Sequence, residues 1–274
     1  MLIHTNPQSA SSGGGCPARL RVAAKILGDC VVGWERSLKW RLDGSGQDDQ
    51  RWVFGFRTQA LDEEIILSIL RELGVPVEAE TLLRAMWPAV HFAYLGAESG
   101  GFKVYLEFPV RLKVPDRRGQ SVWAPPGLWA QAFKWRSDSP LSDTLFRQTE
   151  YWLVPGGTLE SSRARIALGD PDHPMLDGLS AIARQRPLAA NSVDAVTLYE
   201  IRHSDGGRAW DLNLYAFNLQ IDDALASALG LPSFPQAARG AVLGHFAAGR
   251  DRDGQAYRSV YWPVPQPVNE RAGR

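Results

Sequence analysis

The sequence predicts an α+β fold: a closed antiparallel ten-stranded β-barrel of five hairpins, surrounded by helices. Three observations predict it. A short alternating run rich in aromatic and β-branched residues, a turn and a second such run form one unit that recurs five times along 274 residues. Between the units lie stretches with the apolar spacing of amphipathic helices, which need a sheet face to cover. All seven tyrosines fall in the proposed strands, interleaved with cations.

The elements follow in order. Leu20, Val22, Ala23, Ile26 and Leu27 mark a helix over 17–28 that stops at Gly28. Val31–Leu42 and Arg51–Thr58 form the first hairpin around Asp43-Gly44-Ser45-Gly46. Asp62 opens a helix whose stripe is Ile65, Ile66, Ile69, Leu70 and Leu73, ended by Gly74 and Pro76, and a second helix follows near 79–87. Val90–Leu95 and Phe102–Phe108 form the second hairpin, and Trp129–Arg136 with Thr149–Val154 the third. Residues 109–128, with four prolines, read as a long loop. A helix around 175–185 precedes the fourth hairpin, Ala195–His203 and Ala209–Phe217. Helical turns at 222–229 and 234–239 lead to the fifth, Val242–Ala248 and Ala256–Trp262, joined by Asp251-Arg252-Asp253-Gly254. The boundaries expected are a flexible tail over 1–15, one barrel domain over 16–263 and a second tail over 264–274.

Composition narrows the function classes. Thirty Lys+Arg balance thirty Asp+Glu, so no global field draws nucleic acid or an anionic membrane. No run approaches the roughly 18 to 20 apolar residues that span a bilayer. Cys16 and Cys30 form neither a disulfide framework nor a metal pattern, and the chain is expected to be cytoplasmic. An open ten-stranded sheet would expose two edges, whereas closure removes them. The rival architecture is a pair of packed sheets. Eight strands already enclose a small ligand, so about ten leave a lumen that side chains do not fill.

Strand parity sorts the side chains. Phe102, Val104, Leu106 and Phe108 belong under the helices, which turns Lys103, Tyr105 and Glu107 inward. The same rule gives the lumen Asp211, Asn213 and Tyr215, leaves Arg51 and Arg57 inside with Trp52, Phe54 and Phe56 outside, and groups Glu35, Ser37, Lys39 and Arg41. A sheet with one face in water would leave these groups merely solvated; tyrosines interleaved with cations favour a lumen.

Phosphate-loop, dinucleotide, zinc-protease and hydrolase signatures are missing. His4, His91, His173, His203 and His245 show no ligand spacing and read as strand or loop histidines, and the metal expectation for the protein's own side chains is none. What remains is a set of strand-borne cations, Arg51 and Lys103 with Lys39, Lys134 or Arg202. Confined together they need a polyanion, and a diphosphate satisfies them. Neighbouring tyrosine and tryptophan faces suit a developing carbocation, and a carboxylate opposite could take a proton.

Here the chain resembles the ABBA-type prenyltransferases, barrels of repeated α-β-β-α units, and among them the cyanobactin-type peptide prenyltransferases. The likeness spans roughly residues 16–263. Gly28-Asp29-Cys30 followed by Glu35 and Lys39 is similar to the family's first strand with its catalytic carboxylate. Arg51 before Trp52-Val53-Phe54-Gly55-Phe56 resembles its first diphosphate-binding arginine, Lys103 in Phe-Lys-Val-Tyr-Leu its strand lysine, and Tyr257-Arg258-Ser259-Val260-Tyr261-Trp262 its aromatic last strand. Glu107 and the loss of a helix in 109–128 depart from the pattern. The resemblance implies an enzyme moving a dimethylallyl or geranyl group from its diphosphate to an aromatic or heteroatom nucleophile, on a small molecule or a peptide. It implies Glu35 as base, Arg51, Lys103, Lys39 and Arg202 on the diphosphate, and Mg2+ bound through the diphosphate. Tyr105, Tyr151, Tyr199, Tyr215, Tyr261, Asp211 and Asn213 would line the lumen and shield the cation. The alternative is a non-catalytic barrel that binds a hydrophobic small molecule or peptide.

Overall fold

The computed structural model describes residues 16–44, 46–59, 61–109, 113–115, 118, 120–123, 127–136, 146–154, 158–169, 176–178, 180–181, 196–231, 233–250 and 254–267. The expected tail 1–15 and the turn residues 251–253 lie outside them. The strands are β1 (Val31–Arg41), β2 (Gln47–Arg57), β3 (Phe92–Glu98), β4 (Gly101–Glu107), β5 (Lys113–Pro115), β6 (Ser121–Trp123), β7 (Gly127–Arg136), β8 (Phe146–Val154), β9 (Thr197–His203), β10 (Arg208–Asn213), β11 (His245–Arg250) and β12 (Ala256–Val264). The helices are α1 (Ala18–Leu27), α2 (Glu63–Glu72), α3 (Val77–Met86), α4 (Leu159–Gly169) and α5 (Asp223–Ala228).

Ten strands close in the order β1-β12-β11-β10-β9-β8-β7-β4-β3-β2, every pair antiparallel, and β5 pairs with β6 apart from them. The closing ladder runs from Trp34↔Val264 to Arg41↔Tyr257. Strand β12 and this ladder run to Val264. Helix α2 shows how the sequence builds the outer layer. Asp62 Oδ1 accepts from the Glu64 backbone N–H at 2.9 Å, capping the first turn, and Gly74 ends the helix at φ 78°. Ile66, Ile69, Leu70 and Leu73 are buried as the pattern required, joined by Leu67, whereas Ile65 sits about a quarter-turn away and is exposed.

Two apolar layers wrap the barrel. Leu20, Leu27, Ile66, Leu70 and Leu83 of α1–α3 cover Phe54, Phe56, Val104, Leu106 and Trp135. Ile166 of α4 and Leu225 of α5 cover Leu198, Leu212, Phe246 and Trp262. These strand residues share the outward parity, so the opposite parity faces the lumen.

The structure differs from the sequence expectation at β5 and β6, at α4 and at the end of β10. Within 109–128, Lys113–Pro115 and Ser121–Trp123 pair as strands; three residues are too few to display alternation. Helix α4 was not expected, because Leu159 and Ile166 are its large buried residues while Leu168 lies exposed, which leaves no stripe to read. Of the helix proposed at 175–185, residues 176–178 and 180–181 are helical and the others lie outside the described residues. Strand β10 stops at Asn213, and Tyr215 belongs to a helical turn, Tyr215–Phe217. Among the described residues no helix is long and apolar enough to cross a membrane.

Phe54 is fully buried, its ring 4.8 Å from Trp34 and 5.9 Å from Phe56. Phe54→Ala should cost roughly 3–5 kcal/mol of stability in chemical denaturation. Leu168→Ala, at a site 89% exposed, should stay within about 0.5 kcal/mol of the parent.

Candidate active site

The lumen divides into two chambers that share Tyr151, Ile201 and Tyr261. The first, a cavity of about 390 Å³, is cationic, with Lys39, Arg51, Lys103, Lys134 and Arg147 on its walls. Parity brings these cations inside, and closure brings them together. The Lys103 ammonium sits 4.1 Å from the centre of the Tyr105 ring and 3.5 Å from the Tyr151 hydroxyl. Lys39 lies 3.8 Å over Tyr257. Arg51 donates to Ser259 Oγ at 3.3 Å and to the Tyr261 hydroxyl at 3.4 Å, and pairs with Glu98 at 3.7 Å. Glu98 also meets Lys134, and Arg147 pairs with Asp205 at 2.9 Å. Burial, then the charges of Arg51, Lys39 and Arg147, push the Lys103 ammonium well below the usual lysine range. A polyanion entering here would relieve that repulsion.

The second chamber, of about 120 Å³, is aromatic and carries Glu35, Glu107, Asp211 and His245 among Tyr94, Tyr105, Trp129, Tyr151, Tyr199 and Tyr261. Ring contacts run Tyr94–Tyr105 at 6.2 Å and Tyr105–Tyr151 at 5.6 Å along one wall, and His245–Tyr261 at 5.9 Å on another. Burial raises the phenols of Tyr94, Tyr105, Tyr151 and Tyr199 above their ordinary range, so they remain hydroxyls. Tyr215 donates its hydroxyl to Glu35. Trp129 Nε1 donates to Glu107 at 3.2 Å, and burial raises the Glu107 carboxyl. His245 Nδ1 lies 2.9 Å from Asp211 Oδ1. Burial opposes charge on His245, but Asp211, Glu35 and Glu107 outweigh it and hold the imidazole up to about 9. A cation-lined pocket beside an electron-rich aromatic chamber can hold an anionic leaving group apart from the carbon it leaves.

No family model matches this sequence, and no curated protein matches it. Among solved structures, 5-dimethylallyltryptophan synthase from Streptomyces coelicolor aligns with a TM-score of 0.52 at 14% identity, over 91% of this chain and 92% of that chain. The fold is that of the ABBA-type prenyltransferases. Other matches include 6-dimethylallyltryptophan synthase from Micromonospora olivasterospora (TM-score 0.49, 11% identity, 85% and 82% covered) and AnaPT from Neosartorya fischeri (TM-score 0.46, 14% identity, 88% and 80% covered).

Within this ABBA barrel the expected residues divide. Lys39, Arg51 and Lys103 meet in the cationic chamber, and Glu35, Tyr105, Tyr199 and Asp211 in the aromatic one. Tyr151 and Tyr261 stand between. Arg202 does not join them. It is exposed, grips Glu200 at 2.9 and 3.0 Å and lies over Trp152, because Tyr199, Ile201 and His203 take the inward parity of β9 and Arg202 the outward one. Arg57 is likewise exposed, at the end of β2. Asn213 spends its Oδ1 on the Tyr215 backbone N–H at 3.2 Å. Sequence reasoning missed Glu98, Arg147, Thr149, His203 and His245. Arg147 and Thr149 share the parity of Tyr151, and His203 that of Tyr199; a strand begun three residues earlier, at Phe146, would have disclosed Arg147.

His245 gives a pH signature. Its folded value stands above the ordinary 6.5, so its contribution to stability is complete below about pH 6.5 and is lost as pH rises through about 9. Asp211→Asn removes the largest attraction and leaves the burial opposed by Glu35 and Glu107 alone. In an NMR titration His245 should then fall from about 9 toward 6.5, and the stability loss between those pH values should shrink.

Proposed function

We propose that this protein is a prenyltransferase that moves a dimethylallyl or geranyl group from its diphosphate to an aromatic or heteroatom nucleophile, the acceptor being a small molecule or a peptide side chain. The single observation that carries the reading is the division of the lumen, with the cationic and aromatic chambers meeting at Tyr151 and Tyr261. The barrel shared with a 5-dimethylallyltryptophan synthase supports it.

On this reading each group has a task. Lys39, Arg51, Lys103 and Arg147 bind the diphosphate and accept its charge as the allylic C–O bond breaks, the electron pair leaving with oxygen. Tyr105, Tyr151 and Tyr261 turn their rings to the allylic cation and keep water from it. The acceptor lies in the aromatic chamber, where a new bond forms at its nucleophilic atom. Glu35, held by the Tyr215 hydroxyl, takes the proton that the acceptor loses. The residues do not fit a protein-held metal. Among the described residues no three acidic, histidine or cysteine side chains form a metal-binding group, and Glu98 is engaged by Arg51 and Lys134. Magnesium would have to be held by the diphosphate itself, and no step depends on it here.

The test is incubation with dimethylallyl and geranyl diphosphates and panels of indole, phenol and peptide acceptors, reading mass gain per isoprene unit. Lys103→Ala should weaken donor binding by roughly 10- to 100-fold, the value of a hydrogen bond to a charged group. Glu35→Gln should keep donor affinity while kcat falls about 10²- to 10⁴-fold. Donor binding without any product across the panels would favour a binding barrel over an enzyme, and unchanged donor affinity in Lys103→Ala would remove that lysine from the site.

A further inference from the structure

The mechanism above leaves His203 unused. It ends β9 and lines the cationic chamber, its Nδ1 2.9 Å from Thr149 Oγ1. The groups that act on it come from four places: Arg147 on β8, Lys103 on β4, Lys39 on β1, and Asp205 in the turn that follows β9. Asp205 is itself paired with Arg147. The ring is packed, since a Cβ on Gly207 would stand 3.0 Å from His203 Cδ2 and 3.2 Å from the Arg147 guanidinium. Burial, then Arg147, Lys103 and Lys39, hold the imidazole neutral down to about 3, with Asp205 opposing.

A neutral imidazole among cations is a base kept bare by burial first and by its neighbours' charge second. A multiply charged anion in the chamber offsets the second of these and adds an attraction for the imidazolium. We propose that His203 takes a proton from solvent when a diphosphate-bearing ligand enters the cationic chamber, and becomes a further cationic partner of that diphosphate. The proposal rests on the diphosphate reading of the chamber. Thr149 suits either state. Its hydroxyl can donate to a bare Nδ1 and accept from Nδ1–H, so protonation leaves no buried donor stranded. The consequence is a charge that is present when the anion is bound and absent when the chamber is empty. The empty barrel is thus spared one more buried cation, and the bound ligand still meets it.

Calorimetry of inorganic pyrophosphate binding at about pH 6, repeated in buffers of different ionisation enthalpy, counts the protons exchanged. The parent protein should take up about half to one proton more per pyrophosphate than His203→Asn. Protonation of Lys103 and of pyrophosphate itself enters both counts, so the difference belongs to His203. Equal counts with binding intact in both proteins would overturn the inference and leave the diphosphate reading standing. Failure of pyrophosphate to bind the parent would overturn both. Should His203→Asn not fold, nitrogen-15 shifts of His203 in the parent decide the matter. A change from the neutral to the imidazolium pattern on adding pyrophosphate supports the proposal, and an unchanged neutral pattern defeats it.

Discussion

The ladder that joins β1 to β12, from Trp34↔Val264 to Arg41↔Tyr257, brings the first and last strands together, and the chemistry of the lumen depends on it. In an open sheet the inward parity of β4, β8 and β12 would face water, and Lys103 or Arg51 would be an ordinary solvated cation. Closure makes each of those residues part of the other's solvent. Arg51 on β2 then reaches Ser259 and Tyr261 on β12, and Lys103 on β4 feels Arg51, Lys39 and Arg147 together. The same ladder sets Glu35 opposite Pro263 and Ser37 opposite Tyr261, which places the carboxylate two residues along β1 from the boundary between the chambers.

That boundary separates two electrostatic tasks inside one low-dielectric space. Lysine and arginine gather at one end, while Glu35, Glu107 and Asp211 gather at the other around His245. Tyr261 serves both. Arg51 donates to its hydroxyl and its ring meets His245. An anion and a cation generated from one molecule would therefore be drawn to opposite ends, with aromatic faces between them. Glu98 moderates the cationic end, because its carboxylate, 13% exposed, already engages Arg51 and Lys134. A chamber of cations alone would cost more to assemble before any ligand arrives.

The repeated hairpins and the outer helices are legible in the sequence because both rest on periodicity, of two in the strands and 3.6 in helices such as α2. Parity alone likewise sends Glu35, Arg51, Lys103, Tyr105 and Asp211 inward. Arg202 is the exception that obeys the rule: it sits one step out of phase with Tyr199, so the parity that admits the tyrosine excludes the arginine. Elements below the length of a period stay hidden, as β5 and β6 do. Contacts that depend on the closed shape are invisible too, since neither Glu98 nor His203 carries a mark in its own strand of the cations supplied by β1, β2, β4, β7 and β8.

The Glu35–Tyr215 contact shows how much of the site depends on a side chain that is missing. Tyr215 lies beyond the end of β10, in a helical turn that the Asn213 side chain helps to start and that Asn218 closes at φ 49°. To reach Glu35 its ring must cross the backbone of Gly244, where a Cβ would stand 2.6 Å from the ring's Cζ. No real Cβ tolerates that approach, so glycine at this position lets a residue outside the strands complete a pair inside the barrel. Gly244 also carries the chain into His245, which packs against the same tyrosine at 5.5 Å and is held by Asp211. The phenol that donates to Glu35 and the imidazole beside it therefore both depend on the backbone at Gly244, and the turn after β10 is as much a part of the chamber as any strand.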